Sequence, residues 1–434
     1  MAGRVEAEEA GAGGSYDRRD AWRLPPRPEW LARFNALGDL ADIRSVVPLD
    51  ERSLLDAAMR ATGKSDFGDD VWIGHFRVLL RAIDEEAKLN FYGRILTRQD
   101  LLVYLEARLE ITDWYRRHPE VEDERIVAPI FIVGLGRSGT TILQETLAND
   151  PQFRTVQRWE GLFPCPPPEA ATYASDPRIA RAQALAELVF EASPEWKAMH
   201  AWGGNVPIED IEFTYPAFFS EVWPLAFQIP SYEKYFHAQD PAYHFFWHQR
   251  MLKLLQSRYK KRWLLKNPTH LPRIPHLLRA YPDARLIFAH RDPITSNDSV
   301  VNVQGTIYSW RTDDPFGGGV VDDWLLADQR AQIWDAVIGW LEDGTIRPGS
   351  YAHFRYADFA EDPMRTVAKV YADLGLELAP LARERMQAFL ATRPEGAMGR
   401  AHHYERSGEE DPVVQRERRR YARYQSYFDV PDER

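Results

Sequence analysis

The run PIFIVGLGRSGTTILQETLA, residues 129–148, restricts this chain more than any other feature. Pro129 to Val133 is short, apolar and rich in branched side chains, as a strand buried on both faces requires. A turn holding Gly134, Gly136 and Gly139 follows, and helical spacing begins near Ser138. Strand, glycine turn and helix in this order bring backbone N–H groups and a helix N-terminus to one point, which is a cradle for an anion. Thr140 and Thr141 add hydroxyl donors. Gly134 and Gly139 have the spacing of a nucleoside-triphosphate loop, but Thr140 occupies the position of its phosphate-reaching lysine, and the cation is Arg137. A kinase or NTPase needs that lysine and a magnesium site to manage triphosphate charge. Neither is evident here, and the loop reads as an anion cradle of another kind.

Elsewhere the pattern alternates. PIFIVG, RWLLK, ARLIFAH and SYAHFRY read as strands separated by amphipathic helices, which implies a parallel sheet covered on both faces. The expected fold is a three-layer α/β P-loop-type domain over 125–434, with a helical insertion at about 160–260. A helical extension, 46–124, precedes it, containing SLLDAAMRAT, VWIGHFRVLLRAIDEEAKL and TRQDLLVYLEARLEITDWYRR. Residues 1–45 are expected to form a disordered or irregular tail. The insertion is rich in aromatic side chains, among them Trp196, Trp202, Tyr215 and Trp223, most expected in the core and a few lining an acceptor pocket. QRERRRYARYQSYF reads as a final amphipathic helix.

The 54 basic and 65 acidic side chains leave a net charge of −11, which argues against nucleic acid as a partner and makes any anion site local. Cys165 is the sole cysteine, so thiolate metal clusters and intrachain disulfides are excluded. The first thirty residues lack the basic start and apolar stretch of a secretory signal, and no apolar run is long enough to span a bilayer. The expectation is a cytoplasmic protein without a transmembrane segment. Peripheral membrane contact and oligomeric state stay open.

A second motif, LIFAHRDPITSNDSVVN, ends a strand at His290 and places Arg291 before a helix bearing Ser299. An arginine there can meet a phosphate bidentately, and Ser299, two turns on, can face the same ligand. Arg-Asp-Pro is also an ordinary way to begin a helix.

Arg137-Ser138-Gly139-Thr140-Thr141 resembles the 5′-phosphosulfate loop of the sulfotransferases that use 3′-phosphoadenosine 5′-phosphosulfate (PAPS). Arginine as the loop cation is similar to the tyrosylprotein and bacterial branches, although Gly136 stands where a proline is common. The resemblance, over roughly 126–404, implies that Gly136 to Thr141 hold the phosphosulfate and that Arg291 and Ser299 hold the 3′-phosphate. Tyr356, in FRYADFAEDP, would lie near the nucleotide, and Arg400, in MGRAHHYERSG, would close over it. Lys266-Asn267-Pro268 resembles the lysine-any-proline element of the tyrosylprotein branch, whose base is a glutamate after the first helix, a place occupied here by Glu160. His270 and His200 are the reserves for the base. The cytosolic enzymes carry their catalytic histidine at the position of Pro268.

The implied activity is sulfuryl transfer from PAPS to a hydroxyl of a small, partly apolar acceptor such as a steroid, phenol, lipid or glycolipid. Adenosine 3′,5′-bisphosphate is the product and no metal takes part. Arg137 and Lys266 stabilise the transferring group. The rivals are a P-loop nucleotide kinase or NTPase and a non-catalytic nucleotide-binding scaffold.

Overall fold

A computed structural model describes residues 22–317, 327–392 and 408–433. Five parallel strands form the central sheet: β1 (Ile130–Val133), β2 (Phe153–Arg154), β3 (Arg262–Lys266), β4 (Arg285–His290) and β5 (Tyr351–Arg355). Their order is β2-β3-β1-β4-β5. Ile130 lies opposite both Leu264 of β3 and Arg285 of β4, so β1 is the central strand. All four of its residues are buried, as a strand with helices over both faces demands. The chain leaves β1 toward β3 and later returns to its other side with β4, so the order reverses at β1. Crevices at the carboxyl ends of strands open where order reverses. The four expected strands all form. The fifth, β2, has two residues and pairs only with Arg262 and Trp263 of β3.

The extension forms the expected helices, Glu51–Thr62, Val71–Glu86 and Phe91–Arg117. Asp50 caps the first by accepting from the Ser53 N–H at 2.9 Å, and Asn90 caps the third through Gly93 N–H at 2.8 Å. Gly93 is needed for contact as well: a Cβ there would stand 2.1 Å from the Arg311 carbonyl oxygen. That close approach fixes Arg311 against the long helix. These helices share one apolar core with the 160–260 insertion and the strand face formed by Phe131, Leu265 and Phe288. Arg108, fully buried, ties the two parts together by donating to the Phe67 and Pro216 carbonyls and pairing with Asp69 at 3.0 Å.

The expectation of an irregular segment up to residue 45 needs correction from residue 22 onward. Glu29–Ala36 is helical with Leu31 buried, and Arg27 donates to the carbonyls of Ser309 and Thr312 at 3.0 and 2.8 Å. An arginine can satisfy the open carbonyls at a helix end, and here it anchors the segment to helix Pro293–Ser309. The final helix, Pro412–Phe428, packs Tyr421, Tyr424 and Phe428 inward. Among the described residues, no helix is long and apolar enough to cross a membrane.

Candidate functional site

Three strand ends meet above the sheet: the glycine turn after β1, Lys266 closing β3, and Arg291 just past β4. A cavity of about 970 Å³ opens over them, lined by Gly136, Arg137, Gly139, Thr140, Thr141, Arg291 and Tyr356 on the sheet side. The glycine turn is tight. Gly139 has φ +87°, and a Cβ on it would lie 2.6 Å from Tyr356 Cδ2, so both conformation and space require glycine. The helix begins at Thr140, two residues later than expected, leaving Ser138 in the turn with its buried hydroxyl unpartnered among the described residues.

Arg137 Nε donates to Ser299 Oγ at 2.8 Å, linking the two motifs that the sequence singled out. Arg291 lies over the Tyr356 ring at 4.2 Å and pairs with Glu433 at 2.9 Å. Asp292 caps helix Pro293–Ser309 and is held by Arg418, so Arg-Asp-Pro is a helix start as well as a source of a cavity-facing arginine. Arg330, buried on helix Ala327–Glu342, is a further cation at the turn; its Nη2 lies 3.5 Å from the Gly136 carbonyl oxygen. Arg400 lies outside the described residues.

Lys266, 1 % exposed, places its Nζ 2.7 Å from Glu209 Oε1 and 3.5 Å from Thr141 Oγ1. Glu209 lines the cavity and stands just before the 3₁₀ segment Asp210–Ala217. The expected base, Glu160, does not line the cavity. Its carboxylate is fully buried, one oxygen paired with Arg154 of β2 and the other accepting from the Gln157 N–H at 2.9 Å and the Tyr173 hydroxyl at 2.8 Å. With both oxygens occupied it braces its helix and strand away from the cavity, where Glu209 is the carboxylate beside Lys266.

His270 is likewise displaced from the site. It is buried with Nε2 2.9 Å from Asp210, beside His248, whose Nδ1 meets the Tyr281 hydroxyl at 2.6 Å. Burial pushes the Asp210 carboxyl up, but the His270 and His248 rings outweigh it and hold the group below its ordinary range. His200 does line the cavity. Burial, helped by Lys266, pushes its imidazole down to about 4, and its Nδ1 lies 2.7 Å from the Ala201 carbonyl oxygen. With Nδ1 as the donor, Nε2 is the acceptor.

The rest of the cavity is mainly apolar, with Leu185, Trp196, Trp202, Ile211, Val222 and Ile307 in its wall. As expected, most aromatic residues of the insertion, such as Phe213, Phe218 and Trp223, are buried in the core instead. The 3₁₀ segment Asp210–Ala217 sets the polarity of one wall. Side chains three apart eclipse in a 3₁₀ helix. Glu212 and Tyr215 therefore face the cavity together, beside Glu209, which precedes the segment, while Asp210, Phe213 and Pro216 face the core. Burial raises the Glu212 carboxyl, opposed by Arg158, whose Nη1 lies 3.3 Å away.

Comparison with known proteins agrees with this arrangement. A sequence model described as the sulfotransferase family matches residues 129–380. Two curated relatives, omega-hydroxy-beta-dihydromenaquinone-9 sulfotransferase Stf3 of Mycobacterium bovis and of Mycobacterium tuberculosis, are each 27% identical over 284 residues, covering 62% of this chain and 68% of theirs. Among solved structures, sulfotransferase STF9 of Mycobacterium avium superposes with a TM-score of 0.73 at 24% identity, covering 88% of this chain and 97% of that one. STF1 of Mycobacterium tuberculosis H37Rv gives 0.67 at 26% identity, over 86% of this chain and 98% of that one. The chain belongs to the sulfotransferase family and is a transferase of its bacterial branch.

Proposed function

We propose that this enzyme takes its sulfuryl group from PAPS and passes it to a hydroxyl of a small, largely apolar acceptor seated in the cavity, with Glu209 as the general base. The observation that carries this reading is the Lys266–Glu209 ion pair at 2.7 Å, set where the glycine turn meets the apolar wall. An anion's cradle and an acceptor's pocket thus share one boundary, and a base and a cation stand on it.

The donor fits the residues around the turn. Gly139 leaves no room for a side chain, Ser138 keeps a hydroxyl unpartnered among the described residues, and Arg137, Arg291, Lys266 and Arg330 converge there. PAPS would supply an activated sulfuryl group on a bisphosphate leaving group. Gly136 to Thr141 would hold the phosphosulfate, and Arg291 and Ser299 the 3′-phosphate. Sulfuryl transfer, like phosphoryl transfer, is governed by alignment and charge stabilisation. Lys266 and Arg137 neutralise charge growing on the transferred oxygens and the leaving phosphate. Lys266 exchanges its carboxylate partner for the donor, which frees Glu209 to accept the acceptor's hydroxyl proton. The apolar wall excludes water that would compete with the acceptor.

His200 supports a second assignment of the base, because its neutral imidazole lines the same cavity near Lys266 and Glu209. A hydroxyl on an apolar molecule is also the acceptor named for the Stf3 relatives. The direct test is calorimetric titration with adenosine 3′,5′-bisphosphate and, separately, with ATP and magnesium. Metal-independent binding of the bisphosphate with no response to magnesium-ATP is expected. Preference for magnesium-ATP would overturn the reading in favour of a kinase, and silence from both would leave a non-catalytic scaffold.

A further inference from the structure

One wall of the cavity carries more charge than transfer to a simple alcohol requires. Glu212 and Arg158 pair at 3.3 Å, and Asp100 of helix Phe91–Arg117 pairs with Arg311; all four line the cavity. They lie around the Tyr215 phenol, whose pKa burial raises first, with Glu212 and Asp100 adding to the rise and Arg311 and Arg158 opposing it. Tyr215 stacks on Tyr104 with ring centres 3.9 Å apart, so the charges are mounted on a rigid aromatic floor. The cations are fixed by packing: the Arg158 guanidinium lies 3.6 Å from the Trp202 ring centre and that of Arg311 4.8 Å from Phe227.

Hydrogen bonding in this group is incomplete. Arg311 is 8 % exposed, and its Nε and Nη1 find no hydrogen-bond partner among the described residues. Arg158 Nε and Glu212 Oε2 are in the same condition. Buried donors and acceptors left open are costly unless something completes them. Both kinds are open here, three nitrogens on two arginines and one carboxylate oxygen, beside an apolar volume large enough for a ligand.

We infer that this wall is a second polar subsite, which receives a neutral hydrogen-bonding group of the acceptor, a hydroxyl or carbonyl, one 3₁₀ turn from the hydroxyl that is sulfated. Two carboxylates and two guanidinium groups balance, so the subsite favours a neutral group over an ionised one. The spacing follows from the segment that carries both carboxylates. Glu209 is extended and stands just before the helix, and the Glu212 N–H donates to its carbonyl oxygen at 3.2 Å, a turn that holds the two positions within about 7 Å of each other. That is the reach of a 1,4-diol or a γ-hydroxy ketone on an apolar chain. The inference rests on the cavity being the acceptor site of the proposed sulfotransferase.

The test uses the full chain saturated with adenosine 3′,5′-bisphosphate, titrated with octan-1-ol, octane-1,4-diol and octane-1,8-diol. Hydrophobicity alone ranks the mono-alcohol first. The subsite reverses that order: the 1,4-diol binds about tenfold more tightly than octan-1-ol, as one hydrogen bond to a charged group provides. The 1,8-diol gains nothing of the kind. Glu212→Met and Arg311→Met each abolish the preference, and bisphosphate binding by the same variants reports that they are folded. Equal affinities for the alcohol and the 1,4-diol, no binding of either to the bisphosphate complex, or a preference that survives in both variants overturns the subsite. Failure of the wild-type chain to bind the bisphosphate instead overturns the donor assignment.

Discussion

Removing the Arg291 guanidinium should weaken adenosine 3′,5′-bisphosphate, and removing its carboxylate partner should do the opposite. Arg291 is held over Tyr356 and paired with Glu433, the two side chains being 21% and 22% exposed. A ligand phosphate must displace Glu433 to reach the guanidinium. A charge-assisted hydrogen bond contributes about 1.5–3 kcal/mol, so Arg291→Ala lowers affinity by roughly 10- to 150-fold. A pair at this exposure returns only about 0.5–1 kcal/mol when broken, because solvent screens it. Glu433→Gln therefore tightens the bisphosphate by about two- to fivefold. Calorimetric titration of the three proteins at constant ionic strength measures both effects. Unchanged affinity in Arg291→Ala, or weaker binding in Glu433→Gln, would refute the placement of a phosphate at Arg291.

Other substitutions probe separate parts of the site and the fold. Gly139→Ala puts a methyl group against Tyr356 at a left-handed φ, and should cost about 2 kcal/mol of stability together with most bisphosphate affinity, read by thermal melts and titration. Arg108→Ala leaves the Phe67 and Pro216 carbonyls without their donor and Asp69 without its cation, and should lower stability by about 3 kcal/mol in denaturant titrations. His200 has a folded-state pKa of about 4, below its unfolded value, so the unfolded chain binds the extra proton between them. The stability it contributes is complete above pH 6.5 and falls as pH drops toward 4, a loss of about 3 kcal/mol. The melting temperature of the wild type should fall relative to that of His200→Gln as pH drops across that window.

The strand-turn-helix of 129–148 was legible because each of its parts has a local cause: branched residues for the strand, glycines for the turn, and an apolar period for the helix. The strands ending at Lys266 and His290 were legible for the same reason. β2 was not, since Phe153 and Arg154 are extended only because β3 lies beside them. The base shows the same limit. Glu160 and Glu209 both stand among apolar residues, and no local pattern tells which one reaches solvent. Arg154, supplied by the unforeseen β2, occupies Glu160, whereas Glu209, at the start of the 3₁₀ segment, and Glu212 within it line the cavity. A carboxylate, another three residues on, and a tyrosine three beyond that was the available signal, and it requires knowing that the segment is 3₁₀ and not α-helical. Arg330 offered no signal, because a lone arginine on an amphipathic helix is ordinary until tertiary packing places it near Gly136.

The most direct test of the central claim follows sulfur-labelled PAPS with chelator present and a panel of hydroxylated lipids, steroids and long-chain diols as acceptors, using the wild type and Glu209→Gln. Labelled sulfate ester is expected from the wild type. The variant should bind adenosine 3′,5′-bisphosphate yet turn over about 10²-fold or more slowly, the usual contribution of a positioned base. Wild-type turnover in Glu209→Gln would pass the role to His200, and bisphosphate binding without any labelled ester across the panel would contradict the account.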